Sequence, residues 1–307
     1  MNASSRPATW QIWLILTAGI LSVSTAAIFI RLAFAAVDSA DVGFSLVLAA
    51  SRLTLAALFL LPTWRTLHVT PSSRSALIYS AIAGVFLAVH FAAWITSLAY
   101  TSIVASATLV TTNPVWVALI SWIWFREKPS WTTSSGIALA LVGSLLVAIG
   151  GGSDDVGSNP LLGNGLALLG SIAVSFYFLI GREAQQRGLG IGNHVAVAYA
   201  TAAIVLLPLP FLFSTGYTGY SVQVYLAILL MALFPQLVGH TSFNWAVRWI
   251  SPTLVTLTIL AEPIGASILG MIIFRETPGW TVVLGALVIL SGVAVAAVGT
   301  RSEGKGE

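Results

Sequence analysis

The chain has 307 residues, of which 57% are hydrophobic and only 7% are charged; the formal net charge is +3 and there is no cysteine. Soluble domains carry charges on about a quarter of their residues, so this composition excludes one. It also excludes a disulfide framework or a thiolate metal site.

Ten charge-poor segments of 20 to 26 residues divide the chain: Gln11–Phe34, Asp41–Pro62, Ser75–Tyr100, Ser102–Phe125, Trp131–Gly150, Leu161–Arg182, Val195–Ser214, Ser221–Ala246, Pro252–Phe274 and Trp280–Gly299. Each matches a helix rising 1.5 Å per residue through about 30 Å of hydrocarbon. They are apolar on every face, unlike the shorter alternating strands of a β-barrel. The first is too long for a signal-peptide core, and despite the "AFA" at 33–35 it reads as a retained helix.

With the N-terminus inside and one crossing per segment, the inner face receives Arg6, Arg65, Arg74, Arg126, Lys128, Arg182, Arg187, Arg248, Arg301 and Lys305. The outer face receives only Arg31 and Arg275, with Asp38, Asp41, Asp154 and Asp155. Because basic residues resist translocation, both termini are expected in the cytoplasm.

The phrase "FREKPSW" at 125–131 returns as "FRETPGW" at 274–280, an offset of 149 residues from Phe125 to Phe274. Ser102 and Ser251, Pro114 and Pro263, and glycines 136, 143 and 150 with 285, 292 and 299 share that offset. The chain therefore reads as a duplication, residues 1–150 holding helices one to five and 151–307 holding six to ten. Five crossings is an odd number, so the second copy must be inverted. Inverted repeats suit secondary transporters, whose two halves exchange conformations to expose one cavity to each side in turn.

Ten segments in two five-helix repeats, a Glu-Pro in the ninth helix, and a "FRExP" turn after the fourth and ninth resemble the EamA branch of the drug/metabolite transporter superfamily. Within it the chain is similar to the bacterial aromatic amino acid exporters, although Asn113 stands where the second repeat has Glu262. The resemblance implies ten helices around a central cavity, and export of metabolites such as amino acids. It also implies that the second helix is peripheral to that cavity.

Polar residues at membrane depth are costly, so each is a site candidate. Glu262 in "LAEPIG" and its mate Asn113 in "TTNPVW" precede Pro263 and Pro114, which remove an amide donor and should kink both helices at matching places. Glu262 suits a substrate amine, a proton or a gate; its structural alternative is to satisfy the freed backbone. Arg52 in the second helix can hold a carboxylate, but the peripheral position implied by the resemblance favours a structural role. His90 and His240 can bind substrate, relay a proton or bridge helices, with His240 placed nearer the inner surface.

Trp10, Trp13, Trp64, Trp122, Trp124, Trp131, Trp249 and Trp280 lie near segment ends and read as an interfacial belt. Trp94, Trp116 and Tyr177 lie deeper, on helices expected to line the cavity. Ser22 and Ser171 share the offset of 149 and offer hydroxyls, as do Ser24, Thr25 and Ser175. The glycines spaced by seven residues suit close helix packing, within the fold or across a homodimer.

"GLGIG" at 188–192 lacks the spacing of a dinucleotide loop, and Asp154-Asp155 has no second acidic cluster. The basic residues mark topology, so no nucleic-acid partner, cofactor or metal is expected. The reading is an all-α, multi-pass protein of the inner (plasma) membrane, not an enzyme. Its partners are the lipid bilayer and a small amino acid-like substrate that it exports by alternating access. A sugar-nucleotide or phosphate-ester antiporter would need several cavity cations, and a lipid-modifying enzyme an acid, base or metal cluster; both stand as alternatives.

Overall fold

The computed structural model describes residues 7–37, 41–67, 71–101, 106, 109–126, 128–150, 159–274 and 280–303. Among them the chain is almost wholly helical, with no strand. In hydrocarbon every peptide group needs a partner within the chain, which a helix provides without help from its neighbours. Six helices are long and apolar enough to cross a membrane, and four shorter apolar ones occupy the remaining segments.

In chain order they are α1 (Thr9–Ser24 and Ala26–Phe34), α2 (Val42–Phe59), α3 (Pro71–Ser97), α4 (Asn113–Ile120, widening into a π-turn at Ser121–Phe125) and α5 (Trp131–Gly150). The second half comprises α6 (Pro160–Gln186), α7 (Ile191–Leu206), α8 (Val222–Met231, a π-helical stretch Ala232–His240, then Thr241–Ala246), α9 (Pro252–Ile259 and Glu262–Phe274) and α10 (Trp280–Glu303). Asp41, Asn159 and Ser251 accept the free amides of Phe44, Leu162 and Leu254 at the starts of α2, α6 and α9. Pro160 and Pro252 follow two of these caps, where a missing amide is harmless. Gly188, at φ 95°, closes α6 in the left-handed conformation that glycine adopts without strain.

Both proline sites interrupt their helices. Thr111–Thr112 and Leu260–Ala261 are turns, after which helix resumes at Asn113 and at Glu262. Amides of Thr112 and Val115 bond carbonyls three residues back, at Leu109 and Thr112; Ala261 and Ile264 do the same to Thr258 and Ala261. Each of these bonds maps onto its mate at the offset of 149.

The helix pairs show the same exchange. The structure packs α1 on α8 and α6 on α3, α1 on α9 and α6 on α4, α3 on α7 and α8 on α2, and each of α2, α4 and α5 on its own repeat-mate. Swapping the halves therefore returns the same set of pairs. Helices α5 and α10 run antiparallel through their glycines: an added Cβ at Gly136 would meet the Gly292 carbonyl, and one at Gly143 the Gly285 carbonyl. The glycine stripe is thus buried between two helices of the chain rather than offered to a second copy.

The largest buried cluster joins α1, α2, α3, α6, α7, α8 and the first part of α9, and a smaller one joins α4, α5, α9 and α10. Trp10, Trp64, Trp122, Trp124, Trp131 and Trp280 are exposed near helix ends, as an interfacial belt requires. Glu127, residues 275–279 and the Asp154-Asp155 pair lie outside the described residues, so most of the repeated turn does too. Of its described part, Arg126 caps the π-turn at a φ of 59°.

Candidate substrate cavity

The two helix breaks meet in a cavity holding about 520 Å3 of unfilled space, counting the part open to solvent. Its wall includes Glu262, Asn113, His90, Trp94, His240 and Arg52, together with the apolar Val23, Ala26, Val174, Phe178, Phe243 and Ile259.

Two serines hold the breaks open toward the cavity. Ser24 on α1 shares its hydroxyl between the Ile20 carbonyl (2.8 Å) and the Glu262 carbonyl (3.1 Å). Ser175 on α6 does likewise to Ser171 (2.8 Å) and Asn113 (3.3 Å). The carbonyl before each proline thereby accepts a bond from a neighbouring helix, which ties each break to that helix. The structural mates are therefore Ser24 and Ser175, not the Ser22 and Ser171 suggested by the constant offset, because α1 and α6 are displaced by two further residues. Ser24→Ala and Ser175→Ala should each lower stability by about 0.5–1 kcal/mol in thermal unfolding. Ser22→Ala, whose carbonyl rather than hydroxyl is used by Thr25, should leave it unchanged.

Arg52 is not peripheral to this cavity, as the resemblance implied for its helix, although it does pair with a neighbouring helix as a structural cation would. Its side chain is 1% exposed, and the cavity takes it as part of its wall. Helix α2 reaches the cavity because it packs on the widened stretch of α8. Arg52 Nη2 donates to Gln236 Oε1 at 3.1 Å, and the guanidinium carbon lies 4.2 Å from the Phe91 ring centroid. Those contacts fix the plane of the group, while Nε and Nη1 have no hydrogen-bond partner. A buried donor without a partner calls for a ligand or water.

The widened stretch of α8 also carries His240. Pro235 lacks an amide and crowds the preceding turn, which favours wider helical winding there. On this stretch Gln236 meets Arg52 and His240 lines the cavity. His240 lies parallel to Phe178 at 6.5 Å, and its Nδ1 has no partner. His90 stacks on Trp94 at 5.9 Å, and its Nδ1 faces the Gly170 carbonyl at 2.9 Å; a carbonyl can only accept, so Nδ1 carries the hydrogen. Trp94 Nε1 and Asn113 Oδ1 are likewise buried without partners.

The remaining candidates stand behind the wall. Ser171 and the Trp116 indole both reach the Thr112 hydroxyl, at 3.1 and 3.2 Å, and so brace the α4 break against α6. Tyr177 turns away from the cavity to Asn244. Sequence reasoning missed Gln236, Asn244 and His194; the last falls just outside a predicted segment yet is fully buried.

Chemically the wall has a cationic, donating group at Arg52, accepting oxygens at Glu262 and Asn113, and an apolar lining. Among the described residues no group of three His, Asp or Glu is placed to hold a metal.

Two stretches of the chain, residues 9–149 and 161–298, each match the EamA-like transporter family. An uncharacterized transporter of Archaeoglobus fulgidus is 22% identical over 87% of this chain and 90% of its own length. A probable terminal-alkyne amino-acid exporter of Streptantibioticus cattleyicolor is 22% identical over 60% of this chain, and the match spans 61% of that protein. A solved crystal structure superposes with a TM-score of 0.74 at 19% identity, covering 96% of this chain and 99% of that one. With both halves matched and the membrane-spanning helices in place, the chain belongs to the EamA-like transporter family.

Proposed function

We propose that this transporter is a ten-helix carrier of two inverted five-helix halves that exports amino acids across the inner (plasma) membrane by alternating access, with both termini in the cytoplasm. The observation that carries the substrate reading is the pairing of opposite chemistries in one cavity. Unpartnered Arg52 donors face the same space as the Glu262 carboxylate and the unpartnered Asn113 oxygen. A zwitterion satisfies both sides at once: its carboxylate takes the guanidinium and its ammonium takes the acceptors. The apolar wall then receives the side chain.

The inverted arrangement is supported by antiparallel packing of α5 on α10, by helix pairs that survive exchange of the halves, and by two separate family matches. The exporter related at 22% identity supports an amino-acid cargo without specifying one.

Competition against one labelled amino acid in proteoliposome counterflow tests the reading. Neutral amino acids should compete, whereas the matching amines and carboxylic acids should compete at least about tenfold more weakly, each having lost one charged contact. Stronger competition by sugar phosphates or nucleotide sugars would transfer the protein to the phosphate-ester antiporters, and a flux that does not saturate would make it a pore.

A further inference from the structure

Beyond the cavity, toward the end of the bundle that carries Arg182, Arg187 and Arg248, the chain buries a second set of polar side chains that substrate binding does not use. His194 Nδ1 lies 2.9 Å from the Ser80 hydroxyl, and its Nε2 lies 3.3 Å from Asn244 Oδ1. Asn244 donates to the Tyr177 hydroxyl and to the His240 carbonyl, and its own carbonyl accepts from Gln185 at 2.7 Å. Ser80, Tyr177, His194 and Asn244 are all fully buried. They come from four different helices, α3, α6, α7 and α8, each of which also reaches the cavity or packs on one that does. Gly181 lets α6 approach closely enough, since a Cβ there would sit 2.8 Å from His194 Nε2.

Near the same end of the bundle, Arg187 ties the ends of α3 and α6 together at the surface. It bonds Glu183 and Ser75 at 2.8 and 2.9 Å, and its guanidinium carbon lies 4.4 Å from the Tyr79 ring centroid.

Exchanging the halves maps this region onto the opposite end of the bundle, between α8, α1, α2 and α3. There the buried apolar side chains include Ile30, Phe44, Leu48, Ile228 and Met231, and at the nearby end of α3 the buried Ser97 hydroxyl meets that of Ser106 at 2.6 Å.

We propose that Ser80, Tyr177, His194 and Asn244 form the cytoplasmic gate of the carrier, a hydrogen-bonded latch that must part for cargo to enter from the inside. The proposal rests on the alternating-access reading above. Asn244 is its centre, because it alone joins α6, α7 and α8. The latch holds the inner gate in its closed register, and each bond it loses favours opening.

The chain contains no cysteine, so Val174→Cys places a single thiol on the cavity wall. An impermeant methanethiosulfonate reagent added to the cytoplasmic face of inside-out vesicles should modify it slowly. Adding Asn244→Leu should accelerate modification on the order of tenfold, the effect of losing one to two hydrogen bonds from the closed state. Ser80→Ala, which removes one bond and almost no volume, should give a smaller acceleration and decides the matter if Asn244→Leu does not fold. Fast modification of the parent, or equal rates in the parent and the folded latch variants, would overturn the gate. Counterflow separates the two readings: counterflow with unchanged labelling in the latch variants rejects the latch alone, and no counterflow by the unsubstituted protein rejects the carrier.

Discussion

Arg52→Lys, reconstituted into proteoliposomes, should raise the half-saturating amino-acid concentration about 30- to 100-fold although the positive charge is retained. The guanidinium is held from two sides, by Gln236 Oε1 at 3.1 Å and by the face of Phe91 at 4.2 Å. That leaves Nε and Nη1 as oriented donors in the cavity. A lysine ammonium at the same place has neither the planar fork nor the stacking surface, and it loses about 2–3 kcal/mol of oriented, charge-assisted bonding. Selectivity makes the test specific. Arg52→Lys should narrow the difference between an amino acid and the corresponding amine, while Glu262→Gln should narrow that between the amino acid and the corresponding carboxylic acid. A variant that unfolds at lower temperature but keeps wild-type half-saturation and selectivity would return Arg52 to a purely structural role.

The largest loss of stability should come from α5 and α10. A Cβ on Gly292 would sit 2.5 Å from the Ala140 backbone nitrogen, and one on Gly143 would sit 2.6 Å from that of Ile289. Both obstacles are main-chain atoms in the middle of a helix, so no rotamer change relieves them and the helices must separate. Gly292→Ala and Gly143→Ala should each destabilise the detergent-solubilised protein by about 2–4 kcal/mol in thermal unfolding. Gly165→Ala is the control. Nothing lies within 4 Å of its added Cβ, and it should hold stability or raise it by up to about 1 kcal/mol through better helix propensity. Equal effects at all three positions would show that the stripe is not a packing seam.

Several features of the cavity were legible before any coordinates. Glu262 and Asn113 stand out because a polar residue followed by proline in an apolar run is costly unless used, and the repeat points to both at once. His90 and Trp94 follow from depth and spacing on one helix. The breaks fall where the prolines predict because removal of an amide donor is a local event. The spans are similarly a local consequence, of bilayer thickness.

Arg52, His194, Asn244 and the Ser24–Ser175 equivalence were not legible, for a common reason. Helices apolar on every face carry no stripe that reveals which side turns inward. Whether Arg52 meets a cavity or a neighbouring helix depends on how α2 docks on α8, where the π-helical stretch around Pro235 carries Gln236, the partner of Arg52. The two-residue displacement between α1 and α6 is equally invisible to a constant offset, yet it decides which hydroxyl reaches each pre-proline carbonyl. Sequence alone determined that this chain spans a membrane as a duplicated helical transporter, because charge, hydropathy and proline act within a few residues of where they stand. Only the tertiary structure decided which side chains share the cavity, because that depends on the rotation of each helix about its own axis, set by contacts with residues far away in the chain.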